Sequence, residues 1–246
     1  MSERIAVVSG GTRGLGLALS GRLTALGYDV IALYRSDETA ARTAEKEYSG
    51  RLQAVQVDVS RPDEVRAATE TILRERGTPA VLVNNAGLNI DRPLLDLTDD
   101  DWQTVLNTNL SGAFYLIRGF AAAMLAAGGG VIVNVGATTG IRPRRNGVNY
   151  CASKAGLLHL TKCLALELAP LIRVNCLIPG MTETDELVTR FRLDDPQHRA
   201  AVLAEIPQQR LASVEDIADA FEFLVGQGSV YMTGQKLIVD GGQFMW

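Results

Sequence analysis

The sequence predicts a doubly wound α/β fold, one domain over residues 1–246 with a seven-stranded parallel sheet and helices on both faces. Short apolar, β-branched runs alternate with longer helical patterns in a repeating strand–helix–strand order. The runs are apolar enough to suit strands covered on both sides, as in a parallel sheet, whose crossover connections the intervening helices supply. A 246-residue chain with 47% hydrophobic residues can bury one large core, and no internal repeat, low-complexity tract or linker divides it.

The first strand is "RIAVVS" at 4–9, and a glycine-rich turn then opens a helix at 14–26. "DVIALY" at 29–34 and a helix at 37–48 follow, then "LQAVQV" at 52–57 and a helix at 62–76. "AVLVNN" at 80–85 leads into a long helical pattern at 99–126, and "VIVNV" at 131–135 into one at 149–168. Residues 119–141 carry no charge, but three glycines at 128–130 and Asn134 interrupt them, which reads as a helix end and a buried strand, not a membrane span. "IRVNCLI" at 172–178 precedes the least patterned segment, 182–212, read as a mobile lid over the crevice at the strand ends. A helix at 214–225 and "KLIVD" at 236–240 complete the chain.

A net charge of −4 argues against a broad basic face for nucleic acid. Three cysteines without paired or metal-ligand spacing and only two histidines predict no metal site and a reducing cytoplasm. The N-terminus has no basic region followed by a cleavable apolar stretch.

The chemistry gathers after strands. In "SGGTRGLG", Gly10, Gly14 and Gly16 allow a tight turn and a close approach of backbone to phosphate, and the helix that follows offers unpaired N–H groups. A dinucleotide diphosphate fits there. After the second strand, where an acidic residue usually meets a free ribose 2′-hydroxyl, the chain reads Tyr34 then Arg35. Arg35 and Arg13 suit a 2′-phosphate, which predicts NADPH over NADH, with Asp37 as the nearby competitor. Tyr150 and Lys154 lie one helical turn apart, so both side chains can share a face. An ammonium beside a phenol favours phenolate and is expected to move the tyrosine toward its working range. Lysine is scarce, at 46, 154, 162 and 236 only, so one at this spacing carries weight.

Together the motifs resemble the short-chain dehydrogenase/reductase family, particularly its 3-oxoacyl-carrier-protein reductase-like members, whose Rossmann domain the predicted fold matches. "SGGTRGLG" looks like the family's TGxxxGxG, with Ser9 for the usual threonine; "NNAG" at 84–87, "YCASK", "IPGMTET" and "TGQKLIVDGG" follow in family order across nearly the whole chain. The resemblance implies that Thr12, Arg13 and Leu15 join the glycines around the cofactor and that Asp58, followed by Val59, meets the adenine. It implies that Asn85, Ala86 and Gly87 line the nucleotide path, and that Pro179, Gly180, Thr182 and Thr184 border the nicotinamide. Lys154 would also hold the nicotinamide ribose and Asn109 would support a water relay; a homotetramer is implied as well, with the Tyr150 helix at one interface.

One position departs from the family. Thirteen residues before the tyrosine, where a serine hydroxyl would bind the substrate oxygen, stands Ala137. Losing such a donor costs roughly 10²–10³ in rate. Thr138 and Thr139 are adjacent; continued strand alternation would put Thr139 on the side of Ala137, whereas a bulge would present Thr138. Arg142, Arg144 and Arg145 follow, and either face water or steer a carboxylate or a phosphate-bearing carrier to the crevice mouth. Cys151 reads as a packing residue. The leading reading is an NADPH-dependent ketoreductase acting on a small or acyl-carrier-linked carbonyl, with Tyr150 as proton donor and a non-serine donor or water on the oxygen. A nonredox dehydratase, isomerase or cyclase on the same fold, or a noncatalytic NADP(H)-binding protein, are the alternatives.

Overall fold

The computed structural model describes residues 4–245. Its strands are β1 (Arg4–Ser9), β2 (Tyr28–Tyr34), β3 (Leu52–Gln56), β4 (Val81–Asn84), β5 (Gly130–Val135), β6 (Ile172–Pro179) and β7 (Lys236–Val239). They form one parallel sheet in the order β3-β2-β1-β4-β5-β6-β7. The helices are α1 (Gly14–Ala25), α2 (Glu38–Glu47), α3 (Pro62–Glu75), α4 (Asp99–Leu106), α5 (Gly112–Ala126), α6 (Val148–Leu168), α7 (Asp185–Phe191), α8 (Pro196–Ala204) and α9 (Val214–Val225). Among the described residues no helix is long and apolar enough to cross a membrane.

Side-chain alternation along each strand divides the interior in two. On one face Ile5 and Val7 join Ile31, Leu82, Ile132 and Val174 beneath α3, α5 and α6, where Phe120 is fully buried. On the other, Ala6 and Val8 join Val30, Val83 and Val133 beneath α1, α2 and α9, around Phe221. Because both sides of β1, β4 and β5 are dry, these strands read as unbroken apolar runs instead of alternating ones.

Two segments differ from the sequence expectation. The pattern at 99–126 is interrupted: α4 passes into α5 through a π turn at Asn107–Ser111, one extra residue that leaves Asn109 buried. The 182–212 stretch is not without pattern, since it contains α7 and α8, capped by Thr184 and Asp195. These helices enclose a small apolar cluster of their own, Leu193, Ile206 and Leu211, with Phe191 and Val202 against it. Each is too short for its periodicity to stand out in sequence.

A buried polar chain aligns the elements that end at the crevice. Asn84 Nδ2 on β4 donates to Asn134 Oδ1 on β5 (2.8 Å), and Asn134 Nδ2 donates to Thr161 Oγ1 on α6 (2.9 Å). Replacing one member leaves the other buried without a partner, which is worse than an apolar pair. Asn134→Leu is expected to cost roughly 1–3 kcal/mol in urea denaturation, with Asn84→Leu/Asn134→Leu less destabilised than Asn134→Leu alone. Equal losses in the two variants would contradict this account.

Candidate active site

β1 is flanked by β2 on one side and β4 on the other, so the connections after β1 and β4 leave on opposite faces and open a crevice at the carboxyl ends of the strands. Ser9 binds its rims together: its Oγ accepts from the main-chain N–H groups of Asn85 and Ala86 (both 3.0 Å) and donates to Val83 O (3.3 Å). Asn85 Nδ2 in turn donates to the carbonyls of Ser9 and Gly10 (both 3.1 Å).

Two glycines of this turn, Gly10 and Gly16, stand too close to their surroundings for a side chain. Gly10 and Gly14 take φ of +63° and +51°, and a Cβ on Gly16 would lie 1.9 Å from Gly10 O. Thr12 is buried, Leu15 half-buried and Arg13 exposed. Arg13, at the N-cap of α1, makes no side-chain capping bond, whereas α2, α4, α7, α8 and α9 are capped by Asp37, Thr98, Thr184, Asp195 and Ser213. The first-turn amides of α1 therefore have no side-chain acceptor, and a turn whose Gly10 and Gly16 admit no Cβ fits the close approach of a diphosphate.

The remaining sequence-predicted residues surround this turn. Arg35 is exposed at the end of β2. Asp37 accepts from Ala40 N (3.0 Å) as the α2 cap and stands 3.9 Å from Arg13, so its carboxylate is already engaged. Asp58 accepts from the amide and hydroxyl of Ser60 (2.9 and 2.7 Å), and Val59 is buried against Gly112. A Cβ on Gly87 would come within 3.4 Å of Asn109 Oδ1 and 3.7 Å of Lys154 Nζ. Beyond β6, which ends at Pro179, a Cβ on Gly180 would meet Asp240 Cα at 2.5 Å. Buried Thr182 donates to Gly180 O (3.2 Å), and the Thr184 methyl lies 3.9 Å from where Gly14 would carry a Cβ. The start of the 182–212 segment thus sits over the glycine turn.

α6 brings Tyr150 and Lys154 to the same place. Lys154 is buried; its Nζ donates to Val135 O at 2.8 Å and stands 5.7 Å from the centre of the Tyr150 ring. Burial lowers its affinity for the proton to about 8. The expectation that the lysine pulls the tyrosine down is corrected here. Burial pushes the Tyr150 phenol up to about 12, and the cations that oppose this are Arg190 and then Arg144, with Glu186 acting the other way. Withdrawing phenolate from water outweighs these attractions, so the unliganded site holds a protonated phenol. Asn109 is committed on three sides: its side chain accepts from Leu88 N (2.8 Å) and donates to Leu88 O (2.9 Å) and Ser153 Oγ (3.1 Å).

Ala137 is extended (φ −157°, ψ 152°), but Thr138–Gly140 turn at once into a 3₁₀ helix, so strand alternation does not continue to Thr139 as the sequence suggested. The turn packs onto α6, where a Cβ on Gly140 would meet Lys154 C at 2.8 Å. Thr139 Oγ1 is buried there without a hydrogen-bond partner. Of the three arginines that follow, Arg142 stacks over Phe244 and Arg145 is exposed, while Arg144 lies 5.7 Å from the Tyr150 ring centre. Cys151 is buried in α6. Sequence reasoning missed Asp91 and Arg190; Asp91 Oδ1 accepts from Arg144 and Oδ2 from Arg190, each at 2.6 Å. No sequence motif marks either, since Arg190 lies 99 positions from its partner.

The folded chain holds the Lys154 proton less tightly (about 8) than the unfolded chain (10.5), so its buried charge destabilises the fold fully below pH 8, and this penalty fades as pH rises toward 10.5. The displacement corresponds to roughly 3 kcal/mol, offset by about 1 kcal/mol for the bond to Val135. Lys154→Met is expected to be more stable than the parent by roughly 1–2 kcal/mol near pH 7, with a gap that narrows toward about pH 10. Denaturant unfolding across that range checks both the sign and the trend.

Comparison with known proteins agrees with this geometry. A family model described as enoyl-(acyl carrier protein) reductase matches residues 10–243. The 3-oxoacyl-(acyl-carrier-protein) reductase FabG of Salmonella typhimurium is 37% identical over 243 residues, 98% of each chain. The 2-(R)-hydroxypropyl-CoM dehydrogenase of Xanthobacter autotrophicus is 37% identical over 246 residues, 97% of this chain and 98% of that one. The crystal structure of a gluconate 5-dehydrogenase from Burkholderia cenocepacia, in complex with NADP and tartrate, superposes with a TM-score of 0.91 at 31% identity, over 99% of this chain and 96% of that one. With the full-length matches, the parallel sheet and the ordered motifs in agreement, the chain belongs to the short-chain dehydrogenase/reductase family.

Proposed function

We propose that the protein is an NADPH-dependent ketoreductase in which Tyr150 protonates the carbonyl oxygen of its substrate. The observation that carries this reading is a phenol held protonated beside a buried ammonium, at the end of a crevice whose glycine turn has the shape of a diphosphate site. A protonated phenol can give its proton to the carbonyl oxygen in reduction, and the phenolate it leaves can take the proton back in alcohol oxidation.

NADPH, when bound, supplies the hydride. The uncapped amides of α1 and the turn through Gly10, Gly14 and Gly16 would hold its diphosphate, with Thr12 and Leu15 beside them. Arg13 and Arg35 would take the 2′-phosphate, while Asp58 and Val59 would meet the adenine. Asn85, Ala86 and Gly87 would line the path to Lys154, which would hold the nicotinamide ribose; Pro179, Gly180, Thr182 and Thr184 would close over the nicotinamide. Tyr150 gives its proton to the carbonyl oxygen as that atom becomes an alcohol, and Lys154 stabilises the phenolate left behind until a water relay beside Asn109 restores the proton. Thr139 Oγ1, unpartnered but sealed from solvent, would replace the missing serine on the substrate oxygen once the 3₁₀ turn shifts to present it. The 182–212 segment acts as the substrate lid, and exposed Leu166 on α6 and Phe114 on α5 belong to interfaces of a homotetramer.

Screening carbonyl compounds for NADPH oxidation, with a product assay that does not depend on cofactor, separates this reading from a nonredox enzyme and from a binding protein. Tyr150→Phe is expected to lower kcat by roughly 10²–10⁴ with NADPH binding retained. Thr139→Val is expected to cost roughly 10²–10³, and Ala137→Ser to help little in the parent but to recover much of the loss in Thr139→Val. A large gain from Ala137→Ser in the parent would show that no hydroxyl fills the role. For the cofactor, Arg35→Ala and Arg13→Ala are each expected to raise KM for NADPH by roughly 10- to 100-fold while leaving NADH unaffected. Equal kcat/KM for the two cofactors in the parent would sink the assignment.

A further inference from the structure

We propose that Arg144 and Arg190 form a subsite for an anionic group carried by the substrate close to its carbonyl, as in a short oxo acid. The inference rests on the ketoreductase reading and names the class of compound that the site selects. The two guanidinium groups come from separate segments, one from the loop after β5 and one from α7 in the lid. Asp91, in the loop after β4, draws them together, accepting one 2.6 Å bond from each. Arg144 also donates to Asn89 Oδ1 (3.1 Å) and to the Arg145 carbonyl (3.4 Å). Each guanidinium has five N–H donors, so one carboxylate shared between two leaves most of Arg190's donors and one unit of positive charge unspent.

Burial makes that surplus matter. The side chains of Arg144 and Arg190 are 26% and 28% exposed, so both cations have lost much of their water. Neutralising them only halfway leaves an excess cation at a partly dry site, where an incoming anion gains more than it would at the surface. The place is the reaction centre itself: Arg144 lies 5.7 Å from the Tyr150 ring centre, and Arg190 is the cation acting most strongly on that phenol. Glu186, one turn before Arg190, also reaches the phenol with its charge, but it is exposed and forms no salt bridge with either arginine, so their free N–H donors stay open to a carboxylate. A carboxylate lying between the two forks would present a neighbouring carbonyl to Tyr150. An uncharged analogue would find the same carbonyl site with no anchor.

The test compares acetoacetate with its uncharged ethyl ester, using the full chain with NADPH for turnover and calorimetric titration of acetoacetate into the NADP-loaded protein for binding. The parent is expected to prefer acetoacetate in kcat/KM. Arg144→Gln and Arg190→Gln are each expected to raise the KM for acetoacetate by roughly 10- to 100-fold and leave the KM for the ester within about threefold, while any change in kcat through the phenol is shared by the two compounds. Arg144→Lys and Arg190→Lys, which keep the charge, are expected to recover part of the loss, which a purely structural role would not require. If the ester is reduced but acetoacetate has no advantage, or the glutamine variants raise the two KM values equally, the subsite is wrong and the reductase reading stands. If neither compound is turned over while arginine-dependent acetoacetate binding persists, the subsite stands and the reductase reading falls. Absence of both turnover and binding overturns the proposal.

Discussion

The architecture of the site depends on one buried contact, the ammonium of Lys154 donating to the last carbonyl of β5. Holding a charge there is costly, and the chain around it is arranged so that the ammonium reaches Val135 O and little else. Gly136 cannot carry a side chain, since a Cβ would stand 2.8 Å from Cys176 Sγ, and its amide still donates to Leu177 O on β6 (2.7 Å), holding the chain against the sheet just beyond that carbonyl. Gly140 lets the returning 3₁₀ turn lie on the α6 backbone at Lys154 itself, and Gly87 keeps the loop after β4 clear of Nζ. The Asn84–Asn134–Thr161 chain fixes the heights of β4, β5 and α6 relative to one another. The loops after β4 and β5 therefore converge with α6 on a single nitrogen, and its energetic cost is tolerated because the fold elsewhere is densely packed.

The same burial that strains Lys154 sets the state of Tyr150. In water an ammonium nearby would be the leading influence on a phenol, but in this crevice desolvation exceeds every charge acting on it. The strongest opposing cation belongs to α7, outside the core, so the position of the 182–212 segment bears on the acidity of the reacting group as well as on access to it. Asp91 links that segment to the loop after β4, and Thr184 rests over the glycine turn. The same few side chains would therefore join substrate enclosure to phenol chemistry on the proposed mechanism.

The fold was legible because a parallel sheet buried on both faces leaves a simple trace, apolar runs of strand length separated by helical ones, and each of the seven runs became a strand within a residue or two. Tyr150, Lys154 and the glycines were legible for a related reason: their function depends on spacing along one helix or within one turn. What depends on distance was not. Asn109 could be seen as a polar residue in a helical pattern, but not the π turn that buries it or its bonds to Leu88. Thr138 and Thr139 were both seen, but spacing left open which of them faces the crevice, because the strand ends at Val135 and a 3₁₀ turn starts three residues later. The Arg144–Asp91–Arg190 group joins loops that are neighbours only after the sheet has formed, so no local pattern could expose it.

Ala137 looks like a defect only if the missing hydroxyl is weighed alone. A single oxyanion donor is worth roughly 3–4 kcal/mol, a fraction of the 8–23 kcal/mol by which enzymes typically lower barriers. The other contributions to reduction remain: a phenol with its proton in place, an ammonium ready for the phenolate, and a crevice that excludes water from both. An alanine also leaves the space that a serine hydroxyl would have filled, beside a 3₁₀ turn that buries an unpartnered threonine hydroxyl. A buried hydroxyl without a partner is unfavourable until something accepts its hydrogen bond, and a developing alkoxide is a strong acceptor. On the proposed mechanism the polar function moves two residues along the chain instead of vanishing, and the substrate oxygen would relieve the local cost of the unpartnered hydroxyl.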